Sequence, residues 1–468
     1  MRMCGGAETL VLIGLSDRSS MRSSVRLCSI AMAAALAVLA GAATPAQAHA
    51  QAPGPVASLG PDFLWGVAAS GFQTEGSAPD SNWTRYIARS GYEPYLNSVD
   101  SYHRFLEDIA RAAALGVKVY RVSIEWARVQ PRPDGWDEGA FLFYDALIGA
   151  ITAAGMRPML TLDHWVYPGW VSGDGGWQDD RMVQRWLTGM RRVVDRYANR
   201  NPLWVTINEP VAYIVQELNN TGVPGADRDR VFNAIADRMA QAHNGIYDYI
   251  HGVQPGAMVT SNVGFVAKAD EQVNGPWVNR IRDRLDYVGV DYYFDAVADP
   301  RAVARSAAGS DTLQLWELPL ASEGIYYALR RYQRIFPGKS LYVVENGMAT
   351  ENGLPRPDGY DRADYLRDVV YWLQRARMDG IPVIGYNYWS ITDNYEWGSY
   401  TPRFGLYTVD VRSDPILLRR PTDAVGAYSE ITRSGGVPGN YLPTRPPAGC
   451  SQIDPPSSCD DPITLPGV

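Results

Sequence analysis

Eight short apolar runs recur along the chain, at residues 63–70, 117–126, 157–165, 203–210, 258–265, 287–294, 340–347 and 381–390. They are rich in β-branched and aromatic residues and closed by turn-forming residues, the pattern of strands covered on both faces. Between most of them the apolar spacing changes to three or four residues. In 102–115, for example, Phe105, Ile109 and Ala112 share one helical face before Gly116 ends it. Residues 144–154, 181–197, 231–250, 323–335 and 362–378 follow the same spacing. Strand and helix alternating over such a length predict an α/β protein built as a single (β/α)8 TIM barrel, with a doubly wound open sheet as the competing architecture. The barrel is preferred because polar and aromatic residues gather at the C-terminal ends of nearly all the runs, not at one crevice. No short-period repeat is present, which excludes solenoids and propellers.

In a barrel, side chains at those strand ends converge on one pocket. The seventh run passes directly from Leu341-Tyr342-Val343-Val344 into Glu345-Asn346-Gly347, and the fourth repeats the design in Leu203 through Glu209-Pro210. The other ends supply Gln73 and Glu75, then Arg121, Glu125 and Trp126, then Asp163, His164 and Trp165. Further along come Asp291, Tyr292 and Tyr293, and last Trp389 with Asp393, Asn394, Glu396 and Trp397. No Ser-His-Asp order stands out and no phosphate-cradling glycine loop follows a strand. The five histidines are too scattered for a metal site, so no metal and no cofactor is expected. Two carboxylates, amides and aromatic platforms are what glycoside hydrolysis requires: one carboxyl protonates the leaving oxygen while the other attacks the anomeric carbon or activates water.

Composition narrows this further. The 468 residues, 46% of them hydrophobic and 20% charged, suffice for one large domain or two ordinary ones. A formal net charge of -8 argues against a nucleic-acid or anionic-membrane partner and suits a neutral small molecule. The 14 Trp and 28 Tyr provide faces on which sugars stack, although most such rings fill core or surface. Near the N-terminus, Arg22 and Arg26 precede an apolar run at 27–43 and the cleavage pattern Ala46-Gln47-Ala48, with Ala48-His49-Ala50 as the alternative. Residues 1–50 therefore read as a signal segment with an upstream extension and Met21 as the start. Export to the extracellular or cell-envelope space is expected, with no membrane attachment after cleavage. Cys4 and Cys28 fall within that segment. The remaining pair, Cys450 and Cys459, predicts a local disulfide in a Pro-rich tail at 434–468, which leaves 58–433 as the catalytic barrel.

Residues 61–432 resemble the family 1 glycoside hydrolases, retaining enzymes of the β-glucosidase and β-galactosidase type. The resemblance rests on five motifs in register. They are Phe63-Leu64-Trp65-Gly66-Val67-Ala68 with Gln73-Thr74-Glu75-Gly76, then Tyr120-Arg121-Val122-Ser123-Ile124-Glu125-Trp126, Thr206-Ile207-Asn208-Glu209-Pro210, Val344-Glu345-Asn346-Gly347, and the stretch from Trp389 to Trp397. The resemblance implies Glu209 as general acid and then base, and Glu345 as nucleophile, with Arg121 and Tyr293 holding Glu345 ionised. It also implies that Gln73, His164, Asn208 and Glu396 bind the hydroxyls of the terminal sugar, that Trp389 stacks beneath it, and that Trp397 adds a further contact. The substrate would be a small β-glycoside or short oligosaccharide. A transglycosylase on the same site and a catalytically retired sugar-binding barrel are the alternatives. Three departures bear on sugar preference: Asp291 where the family usually has Asn, Asp163, and Val166-Tyr167 before Pro168. Glu396 followed by Trp397 favours an unphosphorylated sugar, and Glu209 being Glu, not Gln, argues against the plant thioglucosidase variant.

Overall fold

The computed structural model describes residues 55–266, 270–293 and 314–445. Its central sheet has nine parallel strands: β1 (Leu64–Ala68), β2 (Val119–Ser123), β3 (Arg157–Asp163), β4 (Leu203–Ile207), β5 (Met258–Thr260), β6 (Val263–Gly264), β7 (Tyr287–Asp291), β8 (Ser340–Asn346) and β9 (Val383–Trp389). Their order is β5-β4-β3-β2-β1-β9-β8-β7-β6. The two edges of this sheet, β5 and β6, are pieces of one segment interrupted only by Ser261 and Asn262. β5 pairs with β4 and β6 pairs with β7, so the sheet closes on itself with eight strand positions. The seam is further tied by Asp286 N donating to Val259 O at 2.9 Å and Gly289 N donating to Thr260 Oγ1 at 3.0 Å. The fold is the (β/α)8 barrel that the alternation predicts.

Strand alternation sorts the side chains. Val119, Met159, Leu203, Val205, Tyr287, Tyr342 and Val344 form a separate apolar cluster inside the barrel that plugs its floor. Their neighbours Tyr120, Val122, Leu160, Trp204, Leu341 and Val343 point outward into the much larger core beneath the helices. The predicted runs overshoot the sheet by one to three residues at their C-termini, and the extra residues include Glu125, His164, Asn208, Glu209 and Tyr293.

Several helices match the spacing closely, including Ser101–Ala114, Met182–Tyr197, Gly324–Ile335 and Arg362–Met378. Helix Glu138–Ala153 starts six residues earlier than periodicity indicates, because Asp137 caps it by accepting from Ala140 N at 3.0 Å. Helices Pro210–Asn220, Asp423–Ser434 and Asn82–Ser90 are among those with no counterpart in the sequence reading. The first hides behind a strand end and starts with Pro at N1, where its missing N–H costs nothing.

Residues 434–445 lie along helix Arg362–Met378. Tyr441 donates to Asp368 Oδ1 at 2.7 Å, and Gln374 Oε1 accepts from Val437 N at 2.8 Å while its amide donates to Ala57 O at 2.8 Å. The signal segment and the Cys450 and Cys459 pair lie outside the described residues. Among the described residues, no helix is long and apolar enough to cross a membrane.

One irregularity in the sheet matters more than the rest. Val290 of β7 stands opposite Val343, yet Asp291 stands opposite Glu345, so one residue of β8 is bulged out of register. Without the bulge, alternation after Tyr342 and Val344 would send Glu345 outward and Asn346 into the mouth. With it, Asn346 turns out, where it accepts from Tyr386 at 2.9 Å and donates to Tyr365 at 3.0 Å. Glu345 turns inward, which is the re-aiming that a bulge beside a functional site performs.

Candidate active site

The side chains at the C-terminal mouth form one connected constellation around Arg121. This guanidinium rises from β2, is fully buried, and reaches three other strands. Nε donates to Thr161 Oγ1 at 3.0 Å, Nη2 to Asn208 Oδ1 at 2.6 Å, and Nη1 is paired with Glu345 Oε1. The second oxygen of Glu345 accepts from the Tyr293 hydroxyl at 2.8 Å. Glu345 is thus gripped on both oxygens by the two residues expected to hold it.

Glu209 sits between the end of β4 and helix Pro210–Asn220, with a left-handed backbone (φ 39°, ψ 62°). Such a conformation is strained for a residue with a Cβ and persists where the surroundings over-determine it. It turns the carboxyl across the pocket toward Glu345. One oxygen each from Glu209, Asp291 and Glu345 lie within 4.8 Å of one another. That spacing is short enough for a cation, but Arg121 already supplies positive charge on Glu345, and we read the trio as an acid cluster. Burial and then the negative charge of Glu345 raise the Glu209 carboxyl to about 8, against the opposing pull of Arg121. Glu209 therefore carries a proton at neutral pH.

Around this pair lie the other predicted residues. Asn208 has its amide oxygen held by Arg121 and by Asn262 Nδ2 at 2.7 Å, and its backbone carbonyl held by Trp165 Nε1 at 2.9 Å. Its amide nitrogen is thereby presented to the pocket, 3.5 Å from His164 Nε2. His164 is stacked between Trp389 and Trp397, with ring centroids 5.7 and 5.8 Å away. Burial, and then the nearby Arg121, push this imidazole well below its ordinary range, so it is neutral.

Gln73 accepts from Ser70 Oγ at 2.6 Å and donates to Asn394 Oδ1 at 3.1 Å. Glu396 beside it is raised to about 8 by burial and by Glu345, with Trp389, Asn394 and Gln73 pulling the other way through hydrogen bonds. His164 Nδ1 and Glu396 Oε2 are buried polar atoms without a protein partner, as expected of groups that wait for a ligand's hydroxyls. All ten predicted residues, Gln73, Arg121, His164, Asn208, Glu209, Tyr293, Glu345, Trp389, Glu396 and Trp397, fall within this constellation.

Other strand-end residues go elsewhere. Glu75 accepts from Tyr144 at 2.8 Å and pairs with Arg128 at 2.7 Å, forming a buried network with Glu125 behind β1 and β2. Asp163 braces Trp186 Nε1 at 2.9 Å and the backbone N–H of Trp165 at 3.0 Å. Asp393 holds the backbone N–H groups of Gly405 and Val409 at 2.9 and 3.0 Å. The sequence reading missed Asn262, whose amide links Asn208 to Asp291 Oδ2. Its position in the gap between β5 and β6 would have singled it out, had that run been recognised as broken.

Comparison with known proteins agrees with this geometry. The family model described as glycosyl hydrolase family 1 matches residues 56–286 and 278–437. Beta-glucosidase A of Thermotoga maritima is 28% identical over 443 residues, covering 80% of this chain and 98% of that protein. The chloroplastic galactolipid galactosyltransferase of Arabidopsis thaliana is 29% identical over 365 residues, covering 71% of this chain and 57% of that protein. Among solved structures, a beta-glycosidase from Pyrococcus horikoshii superposes with a TM-score of 0.71 at 26% identity, covering 82% of this chain and 96% of the other.

The Arg121 to Glu345 pair makes a stability prediction. Arg121→Leu strands a buried carboxylate and is expected to lower unfolding free energy by about 3–5 kcal/mol. Adding Glu345→Gln should recover much of that loss. Urea unfolding of the two variants checks both values; equal loss in the single and double variants would show that the pair is not the cause.

Proposed function

Because the chain belongs to glycosyl hydrolase family 1, and is a β-glucosidase-like O-glycosyl hydrolase, we propose that it removes terminal non-reducing β-linked sugars by double displacement at Glu345 and Glu209. The observation that carries this is the approach of the two carboxyls to within 4.8 Å, oxygen to oxygen, with Arg121 and Tyr293 on Glu345. Retaining pairs stand about 5–5.5 Å apart and inverting pairs about 6.5–9.5 Å, which leaves room for a water.

In the first step a Glu345 oxygen bonds to the anomeric carbon as the glycosidic bond breaks, and Glu209 gives its proton to the departing oxygen. In the second, Glu209, now a carboxylate, takes a proton from water. The water oxygen bonds to the anomeric carbon, and Glu345 leaves with its electron pair. Asn208 offers its amide N–H to the 2-hydroxyl, a hydrogen bond that strengthens in the transition state. Gln73, His164 and Glu396 take the remaining hydroxyls, Trp389 lies against the ring, and Trp397 closes the pocket side.

A transfer reading has support of its own. The relative from Arabidopsis thaliana is named a galactosyltransferase, and the intermediate on Glu345 is open to an alcohol as well as to water. Product analysis with added alcohol acceptor decides between them: free sugar alone means hydrolysis, and a new glycoside that grows with acceptor means transfer. Export is likewise proposed, on the support of Arg22, Arg26 and the apolar run at 27–43. N-terminal sequencing of protein recovered outside the host cytoplasm should begin at His49, or at Gln51 if the alternative site is used. A chain that retains residues 21–48 there would overturn the proposal.

The central test is a panel of aryl β-glycosides. Wild type should turn over at least one sugar configuration, and Glu345→Gly should turn over none; binding without turnover by wild type would point to a retired barrel. Glu209→Gln should lose about 100-fold or more on poor leaving groups and far less on dinitrophenyl glycosides, which leave without a proton. Glu209 must be protonated to act as acid and is raised to about 8, so kcat/KM should decline as pH passes upward through about 8.

A further inference from the structure

Asp291 is the feature of the pocket that this mechanism does not use. It stands opposite Glu345 on β8 and opposite Gly264 on β6. Glu209 Oε1 fills the space that a Cβ on Gly264 would need, so the Glu209 carboxyl lies over the strand next to Asp291. Asp291 is therefore placed between the two glutamates, in the cluster whose oxygens lie within 4.8 Å of one another. It is 1% exposed. Its Oδ2 accepts from Asn262, while its Oδ1 is buried with no partner in the protein.

The groups facing it from the surrounding elements are Glu345, Glu209, Arg121, Tyr293 and, from helix Gly324–Ile335, Tyr332. Only Arg121 among these is cationic, and it is already paired with Glu345. Three ionised carboxylates against one guanidinium would leave a buried excess of two negative charges. Burial, and then the charges of Glu345 and Glu209, hold Asp291 well above the usual carboxylate range.

We propose that Asp291 is a positioning residue that acts through Glu209, sharing the cluster's protons with it and so extending acid catalysis further into alkaline solution than Glu209 would reach alone. The inference rests on the acid role given to Glu209 under Proposed function. The pair Glu209 and Asp291 holds two protons when Glu345 is charged. As pH rises, the first proton lost is drawn in part from Asp291, and the carboxylate left there makes the second, on Glu209, harder to remove. Two interacting acids lose their protons in steps that belong to the pair. An amide at the same position has no proton to lose and no charge to acquire, so Glu209 would then titrate alone.

The test compares wild type with Asp291→Asn, which keeps the shape and the hydrogen bond with Asn262. The profile of kcat/KM against pH is measured on an aryl β-glycoside whose leaving group needs a proton. The basic limb of the variant should lie about one pH unit lower, so that the ratio of wild type to variant rises about tenfold from pH 6 to pH 9. A role confined to packing would lower activity by the same factor at every pH, and that outcome overturns the proposal.

A substrate-free measurement separates this from the functional reading. Infrared titration of protonated carboxyls should show one fewer in Asp291→Asn at neutral pH, and the next carboxyl to ionise should do so at lower pH. If wild type hydrolyses no glycoside but the infrared change appears, the function is wrong and the shared proton stands. If hydrolysis is seen and neither the limb nor the infrared titration moves, the shared proton is wrong and the function stands. Should Asp291→Asn fail to fold, Asp291→Ser removes the same carboxyl and is read by the same two measurements.

Discussion

The buried guanidinium of Arg121 holds positive charge at the centre of a mouth lined by Glu209, Asp291, Glu345 and Glu396. Its donors reach β3, the end of β4 and β8 together, through Thr161, Asn208 and Glu345. A lysine would supply the charge but only a compact point of it, whereas the planar fork sets three acceptors in fixed directions. The direction of the Asn208 amide, the setting of Glu345 and the balance of protons among the acids all depend on that one group. Such a pair is poor at stabilising a fold by itself, since desolvating both charges offsets most of their attraction. Its value lies in making the arrangement of the mouth unique.

Strain at the rim belongs with this rigidity. Trp165, Glu209 and Trp397 all have left-handed backbones, with φ of 71°, 39° and 44°. Each costs on the order of 1–3 kcal/mol and must be offset by packing around it. Trp165 and Trp397 supply part of that packing to one another, with ring centroids 4.7 Å apart and planes at 21°. Trp397 also lies parallel to Phe72 and to His164. A stack of rings thus fixes a neutral imidazole at the pocket wall, and the same rings hold the strained segments that carry them.

How much of this was legible in the sequence follows from what period and composition encode. Alternation of strand and helix over eight cycles, with polar groups at strand ends, is a statement about topology, and topology decides which ends meet; hence all ten predicted residues converge. The bulge at Glu345 was not legible, because Leu341 to Asn346 reads as an unbroken strand and nothing in its composition marks the slipped register with β7. Asn262 was missed for a related reason: residues 258–265 look continuous, yet the chain turns out of the sheet for two residues to close the barrel. Helix Pro210–Asn220 was hidden because its first turn overlaps the strand-end motif that identifies Glu209.

The residues read as strand-end polar groups but found outside the pocket complete the picture. Glu75 and Glu125 crowd the α-carbon of Gly71 so closely that a Cβ there would collide with both carboxyls. Glu125 is raised to about 8 by burial and by Glu75, while Arg128 and the hydroxyl of Tyr144 serve Glu75. This network lies directly behind Gln73 in the chain and anchors the turn that delivers its amide to the pocket. These two buried acid clusters are each built around one arginine and each short of positive charge. A protein does not keep paired carboxyls in its interior for stability, since apolar residues would serve that better. In the outer cluster the return is a fixed turn for a sugar-binding amide. In the inner one it is a proton held on Glu209 against the charge of Glu345.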